Sequence, residues 1–238
     1  MGDLAASVVR DVSDLDLDRD GACLHRGLAA ALLNDLAVIL AKWPDGHAGV
    51  RISGDPDLAR LLDADGPIGG MAAKAQGCDV RPVRAVLFDK NGRTDWSLGW
   101  HQDRTIAVRE QAEVAGFGPW SVKQGIRHVE PPFAVIEGMV TVRIHLDPVD
   151  ADNAPLLVAL GSHLSGRIPV GEVDAVVAGL AVYTCLADVG DVWCYRTPIL
   201  HASHAVSSPV GAGHRRRRVL QVDYAGGDLP APLEWLGV

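Results

Sequence analysis

Two side chains placed two positions apart, His101 and Asp103, are the residues of this chain best suited to hold a metal ion. Side chains alternate between the two faces of an extended strand, so residues two apart point the same way. A nitrogen of His101 and an oxygen of Asp103 can therefore reach one ion. A second histidine would complete a facial set of two histidines and one carboxylate, which suits ferrous iron and leaves coordination positions open.

His201, far downstream at the end of an apolar segment, is the candidate for that second histidine. His204 competes for the role, but positions three apart on an extended segment face opposite sides. We therefore expect His201 to bind the ion and His204 to lie at the rim of the site. A His-x-Asp triplet also occurs as an ordinary hydrogen-bonded pair on a strand edge, so the metal site requires all three side chains to converge.

The elements that must position these residues are mostly strands. Short apolar stretches separated by Gly, Pro and Asp turns follow one another from residue 81 onward, and this pattern is typical of a sandwich or jelly roll. We expect a mainly β fold with flanking helices, a double-stranded β-helix of the cupin-like type. The predicted strands are 22–25, 82–89, 98–102, 105–109, 139–146, 156–160, 181–186, 191–195, 197–201 and 216–224.

Helices are predicted mainly before residue 80. Leucine and isoleucine recur at helical spacing over 28–43, and shorter helices are expected at 56–63, 68–75 and 172–178. A length of 238 residues suits one sizeable domain. We therefore treat 1–238 as a single domain that begins with a polar tail.

Composition narrows the class of protein. A net charge of −8 argues against a general binder of nucleic acid or anionic membranes. The four cysteines are widely spaced and form no CxxC pair, which is typical of reduced thiols in the cytosol. The N-terminus lacks a signal-peptide pattern, and no apolar run reaches membrane-spanning length. We expect a cytoplasmic protein that acts on a small molecule.

Four segments in this order resemble the phytanoyl-CoA dioxygenase family of iron(II)- and 2-oxoglutarate-dependent oxygenases. They are WHQD at 100–103, the stretch from Asn153 to a Gly-Ser-His at 161–163, LHAS at 200–203, and Arg217 on the following strand. The resemblance spans residues 21–224. Two departures, Ala-Pro at 154–155 and Ala-Leu at 159–160, lie away from the candidate ligands.

The resemblance implies the cofactors and the reaction. Iron(II) would be held by His101, Asp103 and His201, and 2-oxoglutarate would be anchored by a bidentate contact from Arg217. O2 is the other co-substrate, succinate and CO2 are products, and an unactivated C–H bond is hydroxylated. Arg215 shares a strand face with Arg217 and is the alternative anchor. Further cofactor-binding candidates are Gln102, Arg143 and Ser203.

The surroundings of the site are less determined by sequence. Arg143 and His145 alternate with aliphatic residues, so they face either solvent or the barrel cavity, and we favour the cavity. An inward arginine is costly unless an anion or carboxylate accompanies it. We expect Lys90 to face solvent and His163 to stabilise a turn.

Residues 110–132 form a polar insert directly after the first ligand pair, a placement that favours an active-site lid. Phe117 and Trp120 could instead form a homodimer contact. Lys123, Arg127 and His128 could receive a carboxylate or phosphate of the substrate.

Two other functions fit the same sequence. One is a non-catalytic jelly-roll binding protein, and the other is a cupin-type metal enzyme that does not use 2-oxoglutarate. Relatives that halogenate lack the ligand carboxylate, so Asp103 favours hydroxylation or a related desaturation or ring closure. The sequence does not predict the substrate.

Overall fold

The computed structural model describes residues 11–44, 47, 49–90, 97–203 and 216–238, and within these ranges strands dominate. Three antiparallel sheets account for them. The strands are β1 Ala22–His25, β2 Gly49–Ile52, β3 Arg81–Lys90, β4 Leu98–His101, β5 Ile106–Val108, β6 Trp120–Lys123, β7 Ile126–Val129, β8 Met139–His145, β9 Leu156–Ala159, β10 Val182–Cys185, β11 Val192–Arg196, β12 His201–Ser203 and β13 Arg217–Ala225.

Five α-helices accompany the strands in the described ranges. The second of them shows why such short helices begin where they do. Pro56 occupies its first turn, and the Asp55 carboxylate accepts hydrogen bonds from the backbone N–H groups of Asp57 and Leu58, an efficient N-cap. The helices are α1 Leu33–Leu40, α2 Pro56–Leu61, α3 Pro67–Gln76, α4 Phe133–Glu137 and α5 Val173–Ala178.

Two of the sheets form the sandwich of a jelly roll. The larger has the order β1-β11-β8-β13-β3-β2, the smaller β10-β9-β12-β4, and the third, β5-β7-β6, lies beside them. Apolar residues of β9 pack against Ala22, Trp193 and Tyr195 of the larger sheet, closing one half of the interior. The predicted jelly-roll fold is confirmed.

Strand β8 is buried at every position because both faces of the larger sheet are covered. Val140, Val142 and Ile144 belong to a core cluster with residues of α1, α2 and α3. The alternate positions, Arg143 among them, face the interior between the sheets. Apolar side chains fill one half of the interior between the sheets. In the other half, polar side chains such as Arg143 line an open space.

Several element boundaries differ from the sequence-based expectation. The predicted strand at 197–201 is wrong: Ile199 donates to the Arg196 carbonyl in a turn, and the strand starts at His201. The helix predicted over 28–43 begins as a 3-10 turn at Ala30–Leu32. Its entry is held by hydrogen bonds from Gly27 and Ala29 to the segment around Asp191.

Two regions for which the sequence predicted no regular element contain local structure. Residues 110–132 contain the β6–β7 hairpin, which joins β5 in a sheet. The described part of the polar tail, 11–20, contains a 3-10 turn and the buried residues Leu15 and Asp20. None of the helices in the described ranges has the length and apolar run that crossing a bilayer requires.

Candidate metal centre

The two candidate histidines meet because their strands pair. β4 and β12 are antiparallel neighbours, and His101 lies directly opposite His201. The imidazole centroids are 4.2 Å apart. Asp103 follows β4, and one ligand atom from each of the three residues lies within 4.8 Å of the others. Such spacing suits three ligands on one face of a single ion.

Both imidazoles are oriented by backbone carbonyls. Nδ1 of His101 lies 2.8 Å from the Gly99 carbonyl oxygen, and Nδ1 of His201 lies 3.0 Å from that of Ile199. A carbonyl only accepts, so each Nδ1 carries a proton and Nε2 is the nitrogen of each ring that could bind a metal. Burial lowers the pKa of His201 to about 4, which keeps this imidazole neutral at physiological pH.

Asp103 is held by an arginine that the sequence did not indicate. Burial by itself would raise the pKa of Asp103, but the charge of Arg84 and the smaller contributions of His201, His101 and Lys123 together outweigh it, and the pKa falls to about 2. The Arg84 guanidinium lies 3.2 Å from Asp103 Oδ2 and 2.5 Å from Asp223 Oδ2. Thr141 donates a hydrogen bond to the other oxygen of Asp223. Asp103 therefore stays ionised, and Oδ1 is left to coordinate a metal.

We expect this arginine to strengthen metal binding. Substituting Arg84→Met alone would leave Asp223 buried without its partner, so the informative variant is Arg84→Met/Asp223→Asn. Its affinity for Fe(II), measured against a competing chelator, is expected to fall by about 10–100-fold, the usual effect of removing a partner of a metal ligand. Asp223→Asn alone keeps the Arg84–Asp103 pair and serves as the control. Wild-type affinity in the double variant would remove Arg84 from this role.

A cavity of about 90 Å³ opens beside the three candidate ligands. Its wall is rich in cations: Lys90, Arg143 and Arg217 all line it, while Asp103 is its only lining carboxylate among the described residues. Arg217 is 2% exposed and lies opposite Lys90 on the neighbouring strand. Three cations on one buried wall favour an anionic ligand, which would offset part of the cost of their desolvation.

Arg143 faces this cavity, as favoured from the sequence. Its Nη1 donates a 3.0 Å hydrogen bond to Gln221 Oε1, and its guanidinium carbon lies 5.4 Å from the centre of the Phe88 ring. Within the described ranges no carboxylate lies within ion-pair distance, and Nε has no hydrogen-bond partner. The guanidinium is therefore available to an anion in the cavity.

His145 lies on the same strand face and is buried, with neither ring nitrogen hydrogen-bonded to a described residue. Burial, and then the charges of Arg143 and Arg217, lower its pKa to about 3. The unfolded chain binds a proton at this residue below about pH 6.5, whereas the folded chain does not. Stability from neutral His145 is therefore complete above that pH and is lost progressively as the pH falls towards 3.

The variant His145→Leu tests this. Between pH 7.5 and 5.0, we expect the metal-free wild type to lose about 2 kcal/mol more unfolding free energy than the variant. Urea denaturation at the two pH values measures the difference. Equal losses in the two proteins would show that His145 titrates normally.

Three further predictions can be compared with the structure. Ser203 lines the cavity, with its hydroxyl 3.4 Å from Lys90 Nζ. The expectation that Lys90 faces solvent is wrong, because the residue is 1% exposed and lines the same wall. His163 is buried in a 3-10 turn, as expected, with Nε2 3.0 Å from the Asp18 carbonyl oxygen.

Gln102 does not face the cavity. Side chains alternate along the strand, so Gln102 points away from the face that carries His101 and Asp103. Its amide donates to the carbonyls of Gly166 and Pro198 and accepts from the Ile168 N–H. This arrangement supports a structural role and not the expected cofactor contact. His204 and Arg215 lie outside the described residues.

The three basic residues of the insert, Lys123, Arg127 and His128, have different surroundings in the structure. Only Lys123 has a charge that acts on Asp103. Arg127 lies 3.4 Å from the Glu110 carboxylate, and His128 is fully buried. Phe117 and Trp120, considered for a dimer contact, are half-buried and pack against the protein's own core. The homodimer and the lid stay predictions.

Comparison with known proteins identifies the fold and not a family. No family model and no curated protein sequence matches the chain, so membership of the phytanoyl-CoA dioxygenase family stays a prediction. Solved structures do match. The epimerase SnoN, in complex with Fe3+, alpha ketoglutarate and nogalamycin RO, is 15% identical with a TM-score of 0.63, covering 93% of this chain and 92% of SnoN.

Two further structures resemble the chain to a similar degree. EctD from S. alaskensis, with 2-oxoglutarate and 5-hydroxyectoine, is 16% identical with a TM-score of 0.60, covering 93% of this chain and 77% of EctD. HygX from Streptomyces hygroscopicus, with nickel, 2-oxoglutarate and hygromycin B bound, is 13% identical with a TM-score of 0.59, covering 88% and 84%. The chain thus has the fold of these proteins, whose structures contain 2-oxoglutarate (alpha ketoglutarate) with a small molecule and, in SnoN and HygX, a metal ion.

Proposed function

We propose that this protein is an iron(II)- and 2-oxoglutarate-dependent dioxygenase that oxidises a small molecule, releasing succinate and CO2. The observation that carries the proposal is the convergence of His101, Asp103 and His201, each with one atom available to coordinate an ion. Two neutral imidazoles and one carboxylate with open positions opposite them are the usual ligand set of non-haem iron(II) oxygenases.

The cavity next to these ligands suits a dianionic co-substrate. We infer that Arg217 binds the distal carboxylate of 2-oxoglutarate, with Ser203 and Lys90 beside it on the same wall. A guanidinium matches a carboxylate through two parallel hydrogen bonds. Arg143, which lacks an acidic partner among the described residues, would offset the remaining negative charge. These assignments rest on the location of the cations along the cavity.

Each of these residues has a different role in the proposed reaction. Iron, when bound with 2-oxoglutarate and O2, supplies the oxidising chemistry. His101, Asp103 and His201 hold it on one face, Arg84 keeps Asp103 ionised, and Arg217 fixes the direction of the co-substrate. Hydroxylation of a C–H bond is the favoured outcome because Asp103 occupies a ligand position that a halide would otherwise need.

The direct test is succinate formation from 2-oxoglutarate by the Fe(II)-loaded protein in air, across a panel of small metabolites. Anaerobic addition of 2-oxoglutarate to the Fe(II) protein should also change its visible absorption spectrum, with no substrate required. Iron binding without that spectral change would instead support a cupin-type enzyme independent of 2-oxoglutarate. Absence of iron binding would support a non-catalytic jelly-roll protein.

A further inference from the structure

The tip of the β6–β7 hairpin is fastened to β2 by the side chain of Gln124. Its Nε2 donates to the Gly49 carbonyl at 2.7 Å, and its Oε1 accepts from the Arg51 backbone N–H at 3.0 Å. Gln124 has a φ of 51° and is followed by Gly125 with a φ of 78°, which produces the tight turn. This attachment fixes Lys123, the residue before the turn, close to Arg51.

Three cations consequently surround Asp103 on this side: Arg51, Arg84 and Lys123. The charge of Arg84 is matched by its ion pairs with Asp103 and Asp223. For Arg51 and Lys123, no carboxylate of the described ranges lies within ion-pair distance. The Lys123 ammonium makes only a long 3.5 Å contact with the Thr105 hydroxyl, and Arg51 Nε is buried without a hydrogen-bond partner among the described residues.

The two side chains also repel each other. Partial burial, followed by the charges of Arg84 and Arg51, lowers the pKa of Lys123. Burial and the charge of Arg84 lower the pKa of Arg51 in the same way. Like charges held together cost free energy, and the Gln124 attachment keeps them together. An anion bound between them would remove that cost.

This position is separate from the inferred co-substrate site. Arg217 lies opposite Lys90 at one end of the β3–β13 pair, whereas Arg84 lies opposite Asp223 six positions further along β13. Six residues of strand span about 20 Å. One carboxylate therefore cannot contact Arg217 and the cations near Arg84 at the same time.

Resting on the proposed function, we propose that Arg51 and Lys123 bind an anionic oxygen group, a carboxylate or phosphate, of the primary substrate. The substrate class is then organic acids or phosphate esters, held so that a C–H bond near the anionic group faces the metal. Neutral molecules of the same shape would lack this contact.

Inorganic sulfate is a probe that needs no knowledge of the substrate. We would titrate it calorimetrically, at low ionic strength, into anaerobic protein loaded with Fe(II) and 2-oxoglutarate. Arg51→Gln/Lys123→Gln is expected to weaken binding by about tenfold or more, the effect of losing charge-assisted hydrogen bonds. Arg127→Gln, on the same hairpin but paired with Glu110, is the matched control and should bind as the wild type does.

Equal sulfate affinity in the double variant and the wild type, or no saturable binding by the wild type, would overturn the proposal. So would an equal loss in Arg127→Gln, because the effect would then be one of overall charge. Lys123→Gln alone changes a partly exposed side chain and should give a smaller loss in the same direction, which keeps the test valid should the double variant not fold.

A panel of matched carboxylic acids, phosphate monoesters and neutral amides distinguishes the two anionic groups in the succinate assay. Anionic members should be turned over by the wild type and lose their advantage in the double variant. Preferred turnover of the amides would overturn the proposal while leaving the oxygenase function intact. Conversely, the absence of a 2-oxoglutarate spectral change in the wild type would reject the oxygenase function, and sulfate titration of metal-free protein would still test the anion site.

Discussion

Substituting Asp103→Ala is expected to reduce succinate formation to below about one hundredth of the wild-type rate, since even the partners of metal ligands are worth 10–100-fold. The carboxylate is the only negatively charged group of the three candidate ligands, and Arg84 already occupies its other oxygen. Without it, Fe(II) would keep only the two imidazoles and would lie near the Arg84 guanidinium with one carboxylate fewer to offset that charge. Chelator competition and the 2-oxoglutarate assay measure both effects.

Asp147→Ala is the control for the general effect of removing an ion-paired carboxylate. Asp147 pairs with Arg218 on the strand face directed away from the cavity. This variant should retain Fe(II) affinity and turnover. Undiminished metal binding and activity in Asp103→Ala would remove the residue from the ligand set, and with it the facial arrangement on which the proposed function rests.

Substituting Arg217→Ala is expected to raise the KM for 2-oxoglutarate by roughly ten- to a hundredfold, the range expected for one or two charge-assisted hydrogen bonds. Arg217 is buried and directed into the cavity, with Nη1 also donating to the Ala154 carbonyl. Because the loss concerns binding, a higher concentration of 2-oxoglutarate should partly restore the rate. Steady-state kinetics with varied 2-oxoglutarate measure this.

Two variants sharpen the result for Arg217. Arg217→Lys keeps the charge but cannot form the two-point contact, so we expect it to recover only part of the affinity. Arg218→Ala removes the neighbouring arginine, whose guanidinium binds Asp147 on the other face, and should leave the KM unchanged. A KM that does not respond to Arg217→Ala would favour a metal enzyme that does not use 2-oxoglutarate.

The parts of the site that sequence predicts are those set by local periodicity. The two-residue period of a strand puts His101 and Asp103 on one face and Gln102 on the other. The same period groups Arg143 with His145, and both face the interior. Burial of β8 on both faces could not be read from the strand itself, because its alternating polar residues fit a solvent-facing surface equally well.

The parts that sequence did not predict depend on which strands pair and in what register. Arg84 meets Asp223 only because β3 and β13 are neighbours with these residues opposite each other. The same register places the buried Lys90 opposite Arg217. The β6–β7 hairpin was overlooked because three of its first four residues are exposed, although Gly125 is a turn-forming residue that could have indicated it.

The strand that ends at His101 lies at an edge of the sandwich. Among the described strands, β4 pairs only with β12, through a ladder with a register irregularity. β8 and β13, by contrast, lie within the larger sheet with neighbours on both sides. An ion bound to His101 and His201 would cross-link β4 to β12, so metal loading and the rigidity of this edge are coupled. Amide hydrogens of β4 should exchange with solvent more slowly in the loaded protein, while those of β8 and β13 change little.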